Sequence, residues 1–561
     1  MSDIFCFDLE STGLEMWSDV LCINGAWLDS PEEIIEFQSV KHLIEFIIKG
    51  HARVSAHNGY SFDLPLLIYH ERKQYKTDHL YTYLCDTPNS IIDTLLISRL
   101  TFPHLLKHSL AEWIERLKPT YRYLQSKIKI ASDAWNVDNL EQIEARNHID
   151  VMAQCALTQH FIDMQCMDEQ AVVDYHKANK FILDLSLNGL PFDADEALDV
   201  YARRILTTNR EILKVHNVLG RINIGSNTQI DKALKNVYGK GLPLGPPSKK
   251  TQKRSPLFNK KNARFVVKDF PILDHVLKYR EAMNLAKFVE PIVSKKSYVS
   301  RYKDKRIYPS VNIIEARTLR SSYANPPVQQ FPEDMKALVK GDMIDMDFSG
   351  LEMQVLGYEL KETFGETTIW DMNQNGTCPK QATVDCLGSL LDMIPKENQL
   401  SVAKTVNYAV LFGQQPKNTL NVLQLDMSYE SELKRALDTR FPALNLLTNR
   451  LKSEMRNECI LNLFGQRVQS PEYCVINTFT QSSGALYAMK LLPLVYHYLS
   501  HEMNLIAFVH DEMLLERVGK IKAEGINLAI ESGYREFEEK YNFPIISKLN
   551  WSEGRSWNEA H

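Results

Sequence analysis

The chain has 561 residues, 44% hydrophobic and 24% charged, with a net charge of −5. This suits a soluble globular protein of about two to four domains, each with a full core. No apolar run could span a membrane, Asp3 stands where a secretory leader would be basic, and the nine cysteines form no Cys-x-x-Cys pair, so reduced thiols, no zinc site and a cytoplasmic location are expected.

Strand-like Ile4-Phe-Cys-Phe7 opens residues 1–165, where short apolar runs alternate with helix-like ones in an α/β pattern. At the end of that strand Asp8 and Glu10 stand at i and i+2 and share one face. His57-Asn58-Gly59, Phe62-Asp63 and then Asp150 in Asn147-His-Ile-Asp-Val151 follow. Four acids from three segments can hold two divalent cations about 3.5–4 Å apart, which suits attack of metal-activated water on a phosphodiester. Asp-x-Glu alone is common, but followed by Asn-x-x-x-Phe-Asp it is specific.

Residues 170–300 read as mostly helical, interrupted by a Pro/Gly/Lys loop at 239–261. Residues 249–264 carry seven basic groups and no acid, and residues 295–306 carry six against one. Either run alone reads as readily as a solvated loop. Together they favour a nucleic-acid surface with salt-dependent binding.

In Met343-Ile-Asp-Met-Asp-Phe-Ser-Gly-Leu-Glu352 a short strand runs into a helix, with Asp347 at the junction. Residues 401–413 predict a helix on which Lys404, Tyr408 and Phe412 share one face. A cation and two rings suit a nucleoside triphosphate, although the stretch alone reads as a Lys beside an aromatic core stripe. Long helical stretches are expected over 431–457 and 484–500. Residues 505–516 then predict two strands joined near His510-Asp511-Glu512. Carboxylates there are costly to bury without a cation, so Asp347 and Asp511 are expected to share metal ions from two separate elements.

On its acid motifs, the segment 1–170 resembles the 3′–5′ exonuclease domain of the DnaQ-like (DEDD) superfamily, an RNase H-like fold. The resemblance implies that Asp8, Glu10, Asp63 and Asp150 are metal ligands, and that Asp93-Thr-Leu95 and His108-Ser-Leu110 are structural. There is one departure. The family has Tyr four residues before the last acid, or His five before, to orient water; here these are Arg146 and Ala145. A guanidinium cannot accept a proton at neutral pH, so hydrolysis of altered efficiency is expected. A decayed domain kept as scaffold is the competing reading.

Residues 401–413 resemble motif B of family A DNA polymerases, and the other motifs stand in order. These are Arg317-Thr-Leu-Arg-Ser-Ser322 through Asn325-Pro-Pro-Val-Gln-Gln-Phe-Pro332, motif A at 347–353, the segment 476–485, and motif C at Val509-His-Asp-Glu512. Ser-Gly-Leu-Glu and Gln-Ser-Ser-Gly-Ala lean towards T7-type phage replicative enzymes. The implied architecture is α/β and α+β, multidomain. The exonuclease domain (1–170) would precede a right hand with thumb 171–300, palm 301–358 and 431–561, and fingers 359–430.

The resemblance implies a DNA-templated DNA polymerase with proofreading, in phage replication, using two Mg²⁺ per active site with Mn²⁺ as a substitute. Asp347 and Asp511 would hold the polymerase ions, Glu512 would support them, and Lys404 would stabilise phosphate charge. Arg320, Asn477, Gln481 and His510 would grip the primer end and minor groove, and Gln329 the template. Glu352 matches a steric gate against ribose, with Phe412 where the family has Tyr. Tyr408 goes with tolerance of dideoxynucleotides. Two usual phosphate partners are replaced, by Leu400 and Cys378, for which Lys380 and Lys396 are candidate substitutes.

Expected partners are primer–template DNA, dNTPs and replisome proteins (helicase, primase, single-strand binding protein), with no membrane contact, the chain being a monomer in the host cytoplasm. There is no room before Asp8 for a 5′-nuclease domain, and no large insertion of the kind that binds thioredoxin. The alternatives are a repair or translesion polymerase, a single-subunit RNA polymerase, and an inactive DNA-binding scaffold.

Overall fold

The computed structural model describes the chain except residues 1–2, 88, 118–123, 125–129, 131–133, 246–252, 294–301, 375–378, 393–395, 412–418 and 421–426. Its N-terminal layer is a five-stranded sheet of β1 (Ile4–Ser11), β2 (Val20–Trp27), β3 (Ile35–Glu36), β4 (Arg53–Ala56) and β5 (Ile91–Asp93), in the order β3-β2-β1-β4-β5. β1 is antiparallel to β2 and parallel to β4. Being central, β1 buries Ile4 to Phe7 on both faces and frees only its end, where Asp8 and Glu10 are half-buried. Helix α1 (Asp63–His70) starts beside that end, and the long helix α2 (Leu140–Asp163) lies across β1 and β2.

Next comes a helical layer in which α3 (Ala194–Leu219) and α4 (Leu273–Val293) lie along one another. It has its own apolar core, including Val215, Ile230, Phe258, Phe270 and Val276.

The C-terminal sheet contains β6 (Lys340–Phe348), β7 (Met503–Val509), β8 (Glu512–Arg517) and β9 (Leu549–Ser556), in the order β7-β8-β6-β9 with all pairs antiparallel. Helix α5 (Leu351–Phe364) leaves β6 directly, and α6 (Lys396–Leu411) belongs to a smaller bundle cored by Leu387, Leu391, Val406 and Leu433. Helix α7 (Val475–Leu499) is apolar on almost every side and is accordingly buried, packed on α5 and on α8 (Ala523–Tyr541). The chain closes with α9 (Trp557–Ala560).

The single helix expected over 431–457 is two, Glu430–Arg440 and Leu444–Glu454, because Pro442 cannot continue the first. One apolar core runs from the N-terminal sheet to the C-terminal one. Buried polar groups cross the same seam. Lys490 of α7 pairs with Asp174, which also accepts from Tyr541 Oη at 2.9 Å. Asp184 accepts from Tyr81 and Tyr496, each at 2.6 Å. No described helix is long and apolar enough to cross a membrane.

Candidate active sites

At the N-terminal sheet, ligand atoms of Asp8, Glu10 and Asp150 lie within 4.8 Å of one another. β1 supplies the first two at i and i+2, and α2 brings Asp150 over them. Asn147, one turn earlier on α2, is fully buried and donates from Nδ2 to Asp8 Oδ2 at 2.7 Å. Asp63 stands outside this trio, though close enough for its charge to raise the Asp8 pKa. It is 2% exposed and its Oδ1 has no hydrogen-bond partner.

Asp93 fixes the approach to Asp63. It caps the following helix through Leu95 N and Leu96 N, and also accepts from Asn58 N and Tyr60 N at 3.2 and 3.1 Å. Arg146, one turn before Asp150, places Nε 3.3 Å from Asp150 Oδ2 and 3.9 Å from Glu10 Oε1, with its guanidinium 5.3 Å from the Trp135 ring. Burial, then the other acids, holds the Asp8 carboxyl well above its ordinary range. Burial also pushes Glu10 up to about 7 despite Arg146.

At the C-terminal sheet, β7 and β8 meet in a two-residue turn, His510-Asp511, with Val509 paired to Glu512. His510 holds φ at +63°, a region where glycine is the ordinary choice. Asp347 lies directly across the ladder from Glu512. Burial and then Asp347 push Asp511 up to about 7; partial burial and then Glu512 push Asp347 up to about 6. Arg320 sits among these acids and places Nη2 2.6 Å from Glu352 Oε1, so the first turn of α5 is tied to the hairpin's surroundings. Ser321 and Tyr323 hold that segment on β7, through Phe508 O at 3.0 Å and Phe508 N at 2.8 Å.

The tightest trio here is Asp345, Glu512 and His561, which the sequence reading did not single out except for Glu512. Asp345 is two residues before Asp347 on the same strand face, and that spacing was the available signal. Its Oδ2 is 3.0 Å from His561 Nδ1, and its Oδ1 is buried without a partner. Glu512 accepts from Trp557 Nε1 and lies 3.7 Å from Lys336 Nζ, which stacks 4.4 Å over the Trp557 ring. Gly554 lets β9 and α9 meet, since a Cβ there would come within 2.6 Å of Ala560 N.

The other predicted residues are more dispersed. Asn477 and Gln481 are one turn apart on α7, and Asn477 Oδ1 is buried without a partner. His510 Nδ1 is likewise unpartnered, and burial and then Arg320 lower its pKa to about 4, leaving the ring neutral. Gln329 accepts from Tyr323 N at 3.1 Å. Lys404 is exposed on α6, which also carries Tyr408, and Leu400 one turn earlier is 44% exposed. Phe412 and Cys378, the side chains of Tyr408 and Lys380, and parts of both basic runs lie outside the described residues.

Both sites suit hard divalent cations. Each concentrates carboxylates whose pKa values burial, and then the neighbouring acids, raise, and each leaves a buried carboxylate oxygen, Asp63 Oδ1 or Asp345 Oδ1, unpartnered.

These features define a protein whose two largest sheets each carry a carboxylate cluster. Its fold is that of the solved polymerase domain of Pol1 from M. smegmatis, in complex with DNA primer-template and dNTP: TM-score 0.76, 16% identity, 100% of this chain and 97% of that one. Residues 196–559 match DNA polymerase family A, and the chain belongs to that family. It is 23% identical to DNA polymerase I of Aquifex aeolicus (strain VF5) over 373 residues, 63% of this chain and 61% of that protein. It is 24% identical to a DNA polymerase of Mycobacterium phage L5 over 246 residues, 42% and 39% of the two lengths. The chain thus spans about three fifths or less of these two relatives.

Proposed function

We propose that this protein is a DNA-templated DNA polymerase that adds dNTPs to a primer 3′ end and carries a 3′–5′ proofreading exonuclease, acting in phage DNA replication. The observation that supports it most is the closeness of Asp347 on β6 to Asp511 in the β7–β8 turn, segments far apart in sequence, beside Glu512 and the Arg320–Glu352 pair in a family A chain. In this reading residues 1–170 are the exonuclease, 171–300 the thumb, 301–358 and 431–561 the palm, and 359–430 the fingers.

Asp347 and Asp511 would hold two divalent ions, Mg²⁺ or Mn²⁺, with Glu512 steadied by Trp557 and Lys336. When bound, these ions acidify the attacking hydroxyl and neutralise charge on the phosphates. Lys404 and the ring of Tyr408 orient the incoming nucleotide. Glu352, fixed by Arg320, closes the space a ribose 2′-hydroxyl would need. Neutral His510 and Asn477 offer unpartnered buried atoms to the primer end. At the other site Asp8, Glu10, Asp150 and Asp63 serve hydrolysis of the 3′-terminal phosphodiester.

The test is a 5′-labelled primer on a longer template with Mg²⁺, with and without dNTPs. Extension with dNTPs and shortening without them is the expected result. Shortening without extension would overturn the polymerase reading, and extension without shortening the exonuclease one.

A further inference from the structure

Arg146 is the one cation paired with the Asp8–Glu10–Asp150 cluster among the described residues, and its placement is specific. Its Nε bridges two of the three acids, at 3.3 Å to Asp150 and 3.9 Å to Glu10. Residue 146 is one helical turn before Asp150, so α2 presents guanidinium and carboxylate on the same face. Trp135 backs the guanidinium at 5.3 Å. Asn147, the residue after Arg146 on α2, holds Asp8 in the same cluster.

A divalent ion entering between Glu10 and Asp150 meets a positive charge already seated there, and like charges at such separations repel strongly in a partly enclosed site. A guanidinium also binds phosphate in a two-pronged fashion, as it binds carboxylate. We infer that Arg146 is a built-in counter-ion that weakens divalent-metal binding at this cluster until the phosphate of a DNA 3′ end draws its guanidinium off Glu10 and Asp150. The inference rests on the exonuclease reading and deepens it: metal loading and DNA binding are coupled through one side chain. Linkage then requires that DNA tighten the metal as much as metal tightens DNA.

The experiment uses the full chain with Asp345→Asn, Asp347→Asn and Asp511→Asn, so that Mn²⁺ is counted away from the polymerase acids. Mn²⁺ binding is followed by electron paramagnetic resonance, with and without a single-stranded oligonucleotide whose last linkage is a phosphorothioate. Arg146→Gln should tighten Mn²⁺ about tenfold without DNA, and adding the oligonucleotide should then change little, whereas with Arg146 present it tightens Mn²⁺. Arg146→Lys keeps the charge and should keep the weak binding.

Equal Mn²⁺ affinity with Arg146 and with Gln would overturn the inference while leaving the exonuclease reading intact. A Lys variant that binds as tightly as Gln would overturn it too. Adding Asp8→Ala should remove this Mn²⁺ class; if Mn²⁺ binding stays unchanged, the exonuclease reading fails along with the inference.

Discussion

The two carboxylate clusters solve the same electrostatic problem by different routes. At the N-terminal sheet the cation comes from the same helix as one of its acids, Arg146 and Asp150 being one turn apart. At the C-terminal sheet the cations come from other segments, Lys336 before β6 and Arg320 earlier still, while Trp557 and His561 bring ring contacts to the acids from the end of the chain. A local counter-ion depends on one helix turn, while a distributed one depends on the fold being complete. The first site should therefore survive changes elsewhere, and the second should report on them.

Disabling one cluster at a time tests whether the two sites are independent. Asp347→Asn should lower nucleotide incorporation by at least about a thousandfold and leave 3′ shortening unchanged, with Asp8→Ala giving the reverse. Primer extension and single-strand degradation measure both; loss of both activities in either variant would show that the sites are not independent.

A smaller effect should separate local from distributed charge balance. Lys336→Met removes a cation near Glu512 and its stacking on Trp557, and should destabilise the protein by about 2 kcal/mol in urea unfolding. Arg146→Gln, on a half-exposed side chain, should cost less than about 1 kcal/mol. Equal costs would erase the distinction.

The gentlest probe is pH. Asp511 is pushed up to about 7 and Glu10 to about 7, against unfolded values near 4. A raised carboxyl contributes stability that is fully present below the unfolded value and lost as pH rises through the folded one. With chelator the melting temperature should therefore fall between pH 5 and 8, and Mg²⁺ should restore about 2–5 °C more at pH 8 than at pH 5.5. Asp511→Asn should flatten this difference; an unchanged slope would remove Asp511 as a source.

Much of the first cluster was legible because its parts are local: a strand end with acids at i and i+2, and a helix carrying Arg146, Asn147 and Asp150 on neighbouring positions. The hairpin was legible for the same reason, two β-prone runs around His510-Asp511. Asp345 was readable in principle, sharing a strand face with Asp347, but an acid pair on a strand has no fixed meaning until something faces it. Trp557 and His561 could not be read, since only the antiparallel return of β9 along β6 brings them to Glu512, and Lys336 meets Glu512 only across the folded sheet. Pro442 stands in the sequence where the 431–457 stretch divides, since proline cannot continue the first helix.

Lys490–Asp174 and the paired tyrosines on Asp184 are buried where the N-terminal sheet meets α7, and breaking such contacts exposes costly charge. Heating should therefore melt both sheets in a single calorimetric transition. The outer part of the α3–α4 layer has a core of its own, while Ala197, Leu285, Val289 and Ile292 tie its inner end to the shared one. On the proposed function, a 3′ end that moved between the clusters would cross one continuous core.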